Sequence, residues 1–305
     1  MTTIDKKPRL RRVQLSVPGS SERFLAKAAA SKADHVFLDL EDAVAPSQKE
    51  SARKKIVEAL NTLDWGKKTR CVRINDLGTR YAYRDIIEVV EGARENLDTI
   101  MLTKVKSASD VLFASTLLRQ VEDTIGLKKR IGLEALIEEV EGLQNVEEIA
   151  KADPRLEALI FGMGDFSASM GVYIKPDGKV ADYPGDIWHY ARFRMVMACR
   201  AAGIDAVDGP YADFRNHDLY AEECRRGLAL GCVGKWAIHP DQIAVALDVF
   251  TPPQAQVDHA RKLAKAYAEA EAQGLGAVQV DGTMVDVASI RMFGAILRKA
   301  DLIGM

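Results

Sequence analysis

Short apolar runs alternate with longer amphipathic segments over about the first 240 residues of the chain. Eight such runs predict strands at 13–17, 35–40, 70–75, 99–105, 131–138, 156–162, 204–209 and 234–239. Apolar strands separated by helices are typical of parallel strands that are buried on both faces. Eight such units within this length favour a closed TIM (β/α)8 barrel, an α/β fold, over an open doubly wound sheet.

The pattern changes after "GKWAIHP" (234–240). Two prolines lead a long helical stretch from about residue 251, and "AVQVDGTMV" (277–285) predicts a hairpin with Asp-Gly at its turn. "DVASIRMFGAILRKADLI" (286–303) predicts a final helix. We therefore expect a barrel at 1–250 and a C-terminal helical and hairpin lid segment at 251–305.

Composition excludes several classes of protein. The formal net charge of −2 does not favour a nucleic-acid partner. The four cysteines are scattered without a CxxC pair, which indicates free thiols in a reducing compartment. The polar N-terminus does not resemble a signal peptide, and no apolar run approaches the roughly 20 residues that span a membrane. We expect a soluble cytoplasmic protein.

Polar residues follow the predicted strands at their carboxyl ends, which is where barrel enzymes carry their chemistry. They are Asp39, Glu41, Asp42, Arg73, Asn75, Lys104, Glu138, Asp165, Asp208 and His239. Since these strand ends meet at one rim, we expect carboxylates and one arginine to converge there.

Carboxylates that crowd together do not all stay ionised without a cation. Mg²⁺ accepts one or two carboxylates and keeps positions open for substrate. Glu138 and Asp165 are the best candidate ligands, because glycines flank Asp165 and let a ligand approach the backbone. Glu41 and Asp42 would then hold metal-bound waters or orient Arg73.

Simpler interpretations stay open for each residue. Asp42 or Asp165 is as readily a helix cap as a ligand, and Arg73 a structural ion-pair partner. "SVPGSSERF" (16–24) fits either a serine-capped helix or a phosphate-holding loop. The loop at 171–190 has no periodicity, and long loops in compact domains tend to be functional or mobile.

Several motifs together carry a resemblance over residues 11–303. They are "LSVPGS", "FLDLEDAVAP", "VRIN", "LIEEVEG", "GMGDFSASMG", "DGPYADF", "GKWAIHPDQI" and "VDGTMVDVASIR". This set resembles the citrate lyase β-subunit/HpcH-HpaI aldolase superfamily, and within it the L-malyl-CoA/β-methylmalyl-CoA lyases. The resemblance implies a TIM barrel, a homotrimer or homohexamer, and reversible cleavage of malyl-CoA to acetyl-CoA and glyoxylate with Mg²⁺ or Mn²⁺.

The resemblance also assigns expected roles to residues. It implies Glu138 and Asp165 as metal ligands, and Arg73 beside the thioester and keto-acid oxygens. Asp286 matches an aspartate from the neighbouring subunit, which would act as the base that removes a proton alpha to the thioester. The expected contacts to coenzyme A and substrate are Ser16, Lys27, Gly164, Ile238 and His239.

Two departures leave alternatives open. The loop after "GDFSAS" is shorter than in typical malyl-CoA lyases, which leaves the keto acid and the acyl group undetermined. Ser21 stands where some relatives carry an arginine near the coenzyme phosphates, with Arg12 or Arg23 as substitutes. A malyl-CoA thioesterase and a citramalyl-CoA lyase are the main alternatives on this scaffold. An aldolase of free keto acids and a non-catalytic member are further ones.

Overall fold

Eight parallel strands close into a barrel in chain order, as predicted, in a computed structural model that describes residues 8–173 and 183–305. Strand β1 pairs with both β2 and β8, which closes the ring. The strands are β1 (Val13–Pro18), β2 (His35–Asp39), β3 (Thr69–Arg73), β4 (Thr99–Leu102), β5 (Gly132–Ile137), β6 (Leu156–Phe161), β7 (Asp205–Asp208) and β8 (Gly234–Ala237).

Helices connect successive strands, so each strand runs in the same direction as its neighbour. They are α1 (Glu22–Ala29), α2 (Lys49–Thr62), α3 (Ala82–Ala93), α4 (Ala108–Thr124), α5 (Val140–Gln144), α6 (Val146–Ala150), α7 (Met163–Ser169), α8 (His189–Ala202), α9 (His217–Leu230) and α10 (Asp241–Phe250). Short 3-10 turns lie at Pro46–Gln48 and Arg94–Asn96. No described helix is long and apolar enough to cross a membrane.

The core has two layers because each strand is buried on both faces. One layer lies between strands and helices and contains most of the buried aliphatic residues. The other fills the barrel and takes one side chain from each of seven strands: Phe37, Cys71, Met101, Leu136, Ile160, Val207 and Trp236. All four cysteines are buried and unpaired.

A polar cluster fills the barrel interior at the amino ends of the strands, which we call the base. Glu134 is fully buried and accepts hydrogen bonds from Arg11, Gln14 and Thr99, with His35 Nε2 2.9 Å from its Oε1. The guanidinium of Arg11 and the His35 ring hold the pKa of Glu134 well below its usual range against the opposing effect of burial. The carboxylate of Glu134 is therefore fully hydrogen-bonded, whereas His35 Nδ1 is buried without a partner among the described residues.

The chain beyond the barrel forms α11 (Gln254–Ala272), a hairpin of β9 (Ala277–Val280) and β10 (Thr283–Asp286), and α12 (Val287–Ile303). Asp281 and Gly282 have φ of 48° and 81° at the hairpin turn, the left-handed pair that a two-residue turn requires. The hairpin and both helices were predicted from the sequence. Helix α12 packs on α11 and buries only Ala300 within this chain.

Seven of the eight strands end one to three residues earlier than the sequence predicted. The predicted strands at 35–40, 70–75 and 99–105 end at Asp39, Arg73 and Leu102. Leu40 N and Ile74 N still bind the neighbouring strand, and pairing stops where the backbone N–H groups two residues past these three strand ends bind carboxylates. These are Glu41 N to Asp39, Asn75 N to Asp85 and Lys104 N to Glu138.

Barrel closure depends on a glycine at the seam between β8 and β1. A Cβ built on Gly234 would lie 1.7 Å from the backbone oxygen of Arg11, which cannot move aside without breaking the seam. We expect Gly234→Ala to lower the free energy of unfolding by more than about 2 kcal/mol in urea titrations. Gly276→Ala is the control, because a Cβ there meets nothing within 4 Å, and equal stability of the two variants would contradict this account.

Candidate active site

The polar residues predicted from the strand ends lie around the carboxyl rim of the barrel. Asp39 and Arg73 are the last residues of β2 and β3, and Glu138 directly follows β5. Asp165 lies in the first turn of α7, just after β6. The rim therefore brings acids and an arginine from four strands to the same end of the barrel.

Asp39 and Arg73 form a bidentate ion pair. Arg73 Nε and Nη2 each lie 2.7 Å from a carboxylate oxygen of Asp39, and the two residues are direct partners in the β2–β3 register. Asp39 also accepts the backbone N–H groups of Glu41 and Ala43 at 2.9 and 3.0 Å. One carboxylate thus orients the arginine and fixes the loop that carries Glu41.

Sequence reasoning placed Asp39 at the rim but gave it no role. The signal was available, because Asp39 and Arg73 both precede loops at the ends of adjacent parallel strands. Residues at equivalent positions on neighbouring parallel strands carry their side chains next to each other. Asp42, which was predicted beside Glu41, is exposed on the loop.

Glu41 lies between two cations. Its Oε2 is 3.1 Å from Arg73 Nη1, and its Oε1 forms an ion pair with Lys104 Nζ. Burial raises the pKa of Glu41, and both cations oppose that shift. Glu41 Oε2 is buried and lacks hydrogen-bond geometry to any described donor, so it retains capacity for a further partner.

Lys104 was located by the sequence but not recognised as part of the acidic cluster. Its backbone adopts a left-handed φ of 50°, which is uncommon for a residue with a Cβ. That turn points its backbone N–H at Glu138 Oε1, 2.8 Å away, while its ammonium reaches Glu41. Lys104 therefore links the two carboxylates.

Glu138 is the most perturbed acid at the rim. It is 2% exposed, and burial raises its pKa to about 8; the Lys104 N–H opposes this shift, and Glu41 and Asp165 add to it. Space for its carboxylate depends on Gly162, because a Cβ there would lie 2.6 Å from Glu138 Oε2. Asp165 is half-buried, and its negative charge contributes to the raised pKa of Glu138.

These donors fit a divalent cation. Hard cations such as Mg²⁺ prefer carboxylate oxygens, and a carboxyl that is kept protonated by burial and like charge ionises when a cation replaces the proton. Glu138 and Asp165 carry carboxylates of this type at the rim, with Glu41 nearby. Among the described residues, the tightest cluster of potential ligands is instead His35, Cys71 and Glu134 at the base, where Arg11 already neutralises Glu134.

The residues expected to contact coenzyme A lie on the β8–β1 side of the barrel. Ser16 is half-buried on β1, and Lys27 is exposed on α1. Ile238 is 40% exposed, and His239 stacks on Phe214 with ring centroids 4.5 Å apart. Gly164 is exposed at the start of α7, with open space where a Cβ would stand.

The "VPGS" turn is bound to the acidic loop. Gly19 donates its N–H to Asp39 O at 2.9 Å, and a Cβ on Gly19 would lie 2.6 Å from that oxygen. Ser21 caps α1 by accepting the Phe24 N–H. The serine-cap interpretation of this stretch is therefore correct, and the glycine provides the close approach of two rim loops.

Asp286 does not join these residues within one chain. It caps α12 by accepting the backbone N–H of Ser289 at 2.9 Å, and that contact lowers its pKa. Helix α12 meets the barrel at the base, where Lys299 Nζ donates to Val233 O. A contribution of Asp286 to a rim therefore requires the rim of another chain.

Residues 174–182 of the 171–190 loop lie outside the described residues, which resume at Tyr183. Its end is anchored, because Arg192 Nη1 donates to Asp186 at 2.6 Å and Trp188 Nε1 to Ser167 at 2.9 Å. Arg192 also donates to Asp208 at the end of β7, which is therefore occupied in an ion pair. The loop returns to the barrel through that fixed contact.

The raised pKa of Glu138 predicts a pH dependence of stability in protein without added metal. A carboxyl with a higher pKa in the folded than in the unfolded state stabilises fully below about pH 4.5 and stops doing so above about pH 8. The free energy of unfolding should fall by up to about 1.4 kcal/mol per pH unit within that window. Denaturant titrations should show this slope lost in Glu138→Gln and kept in Glu141→Gln; an unchanged slope in Glu138→Gln would contradict the assignment.

Comparison with known proteins gives this geometry its context. The family model for HpcH/HpaI aldolase/citrate lyase matches residues 12–240. The L-malyl-CoA/beta-methylmalyl-CoA lyase of Rhodobacter capsulatus is 44% identical over 304 residues, covering 96% of each chain. A (3S)-malyl-CoA thioesterase of Cereibacter sphaeroides is 35% identical over 289 residues, covering 95% of this chain and 94% of that one.

A solved structure agrees in both sequence and fold. The CitE protein of Mycobacterium tuberculosis, crystallised with magnesium, acetoacetate and coenzyme A, is 31% identical with a TM-score of 0.71. The match covers 95% of this chain and 97% of that one. The sequence, the closed barrel and the match over almost the whole length agree, and the chain belongs to the HpcH/HpaI aldolase/citrate lyase family.

Proposed function

We propose that this protein is a divalent-metal-dependent carbon–carbon lyase for coenzyme A thioesters. Its substrate would be L-malyl-CoA, β-methylmalyl-CoA or both, cleaved reversibly to acetyl-CoA or propionyl-CoA and glyoxylate. The observation that carries the proposal is the buried carboxyl of Glu138 beside Arg73, Glu41 and Asp165, in a chain 44% identical to a lyase of that name.

Glu138 and Asp165 would hold Mg²⁺ or Mn²⁺ at the rim. When bound, the metal would supply a positive charge that chelates the 2-oxo acid and polarises its carbonyl. The burial that keeps Glu138 protonated near neutral pH in the free protein also means that metal uptake releases a proton. Lys104 would keep the carboxylates of Glu41 and Glu138 in place, since its ammonium pairs with Glu41 and its backbone N–H binds Glu138.

Arg73 would stabilise the negative charge that develops on the thioester oxygen when the enolate forms. Asp39 engages Nε and Nη2, which fixes the guanidinium plane and leaves Nη1 directed at Glu41 Oε2. An arginine held this way needs no reorganisation during the reaction. Lysine cannot replace it, because the two contacts to Asp39 require the planar fork.

Ser16, Lys27, Ile238 and His239 would bind the coenzyme on the β8–β1 side. Gly164 would leave its backbone open to the substrate. This arrangement puts the thioester between the coenzyme-binding side and the acidic cluster, which is the order that the proposed chemistry needs.

Asp286 would act as the base in the site of a neighbouring subunit of a homotrimer or homohexamer, with the 251–305 segment as a lid. In a single chain Asp286 is solvated and its pKa is lowered, both of which make it a weak base. Closure over a neighbour's rim would exclude water and raise its basicity.

The direct test is turnover of purified protein with Mg²⁺, acetyl-CoA or propionyl-CoA, and glyoxylate or pyruvate, followed by mass spectrometry. We expect malyl-CoA or β-methylmalyl-CoA from glyoxylate, and loss of turnover with EDTA that excess Mg²⁺ restores. Free coenzyme A with free malate would instead support a thioesterase, as in the 35% identical relative. Product only from pyruvate would indicate a citramalyl-CoA lyase, and turnover that resists EDTA would contradict the metal site.

The sharing of Asp286 between subunits predicts complementation. We expect Arg73→Lys and Asp286→Asn each to lose at least about 100-fold in turnover, because each removes a group that acts on the transition state. Co-expressed variants should recover about a quarter of wild-type activity, because a head-to-tail ring then contains sites with both groups intact. Arg70→Lys, on the same strand but paired with Asp98 near the base, is the control and should keep full activity. Mixtures no more active than the single variants would contradict a shared site.

A further inference from the structure

A second cavity lies at the base, at the opposite end of the barrel from the rim. It has a volume of about 790 Å³ and lies between the amino ends of strands β6 to β8 and helix α12. Its walls include the segment before β1, the turns before β7 and β8, and the link between α10 and α11. This volume falls within the range of small-molecule sites.

The lining of this base cavity has an excess of positive charge. Its charged residues are Arg9, Arg11, Arg12, Arg200, Arg298 and Lys299 against Glu157 and Asp205. The first three arginines form ion pairs with carboxylates, the closest contacts being to Glu157 for Arg9 and Arg11 and to Asp34 for Arg12. Arg200, Arg298 and Lys299 make no ion pair with a carboxylate in the described parts of the chain.

Lys299 is the least satisfied of these cations. Its ammonium donates one long hydrogen bond, 3.3 Å to Val233 O, and stands 5.6 Å from the centre of the Phe250 ring. Burial lowers its pKa to about 8, with the charges of Arg12 and Arg200 acting in the same direction and Asp205 and Asp34 opposing. Lys299 is half-buried, and a partly desolvated ammonium with free donors is costly unless an anion balances it.

Arg200, which is exposed, provides a second set of donors beside it that no described carboxylate neutralises. Its Nη2 donates to Gly231 O at 2.6 Å, which orients the guanidinium on the wall of the cavity without neutralising it. Arg298 lines the same cavity from α12. Apolar wall comes from Phe250, Ile296 and Leu302. The lining therefore combines cationic and apolar side chains.

We propose that this cavity binds a small organic anion with more than one negative charge, an organic phosphate or a polycarboxylate. The anionic group would bind Arg200, Arg298 and Lys299, and its carbon skeleton would contact Phe250 and α12. Such a ligand would bridge α12 to the barrel. The site is separate from the rim, so the proposal does not depend on the reaction catalysed there.

Calorimetry with inorganic pyrophosphate, ADP and citrate tests the proposal and distinguishes the two ligand classes. We expect at least one probe to bind wild-type protein, and its Kd to rise at least about tenfold in Arg200→Gln and in Lys299→Met, because each loses a charge-assisted hydrogen bond. Arg225→Gln is the matched control, an exposed arginine on α9 outside the cavity, and should bind as wild type. Preference for pyrophosphate and ADP would indicate a phosphate, and preference for citrate a polycarboxylate.

Folding of the variants is checked separately. Lys299→Met removes a desolvated charge, so its Tm without ligand should equal or exceed that of wild type. Lys299→Arg keeps the charge and should retain binding within a fewfold. The proposal is overturned if no probe binds wild-type protein at about 10 mM, or if wild type, Arg200→Gln and Lys299→Met share one Kd, which would locate the binding elsewhere, including the rim.

Discussion

The bidentate pair between Asp39 and Arg73 supports the rest of the rim. It joins the ends of two adjacent strands, and Asp39 uses the same two oxygens to bind the backbone of the loop that carries Glu41. Glu41 in turn contacts Arg73 and Lys104, and Lys104 positions Glu138 through its backbone. Removal of Asp39 would therefore free the arginine, the loop and the acid cluster together.

The charge balance at the rim explains why one acid is held protonated. Among the described residues, Arg73 pairs with Asp39 and Glu41, and Lys104 pairs with Glu41, whereas Glu138 and Asp165 form no ion pair. Glu138 is the most buried of the unneutralised acids, so burial and like charge raise its pKa to about 8. A divalent cation at this point would restore the balance, which is the physical basis of the proposed metal site.

Charged side chains at the base of the barrel differ in how fully they are paired. At the base Glu134 is fully matched by Arg11, Gln14, Thr99 and His35, so that its pKa stays low and the interior is closed. In the adjacent cavity under α12, Arg200 and Lys299 have no carboxylate partner among the described residues. The cations at this cavity are the basis of the proposed anion site.

The sequence by itself determined the barrel, the C-terminal hairpin and the residues that gather at the rim. It could do so because the alternation of apolar runs specifies parallel strands, and every parallel strand delivers its carboxyl end to the same side. The sequence overextended seven strands by one to three residues, because it does not show where backbone N–H groups leave the neighbouring strand, as they do for carboxylates after β2, β3 and β4. It gave no role to Asp39 or to the backbone of Lys104. The role of Asp39 depends on cross-strand register, and that of the Lys104 backbone on a left-handed φ.

Only the tertiary structure decided the protonation state of Glu138, since desolvation and distances between charges exist only once the strands are assembled. It also placed Asp286 away from its own rim and created the cationic cavity at the base, because both follow from where α12 packs. Contacts between residues far apart in the chain, such as Lys299 with Val233, leave no local pattern in the sequence.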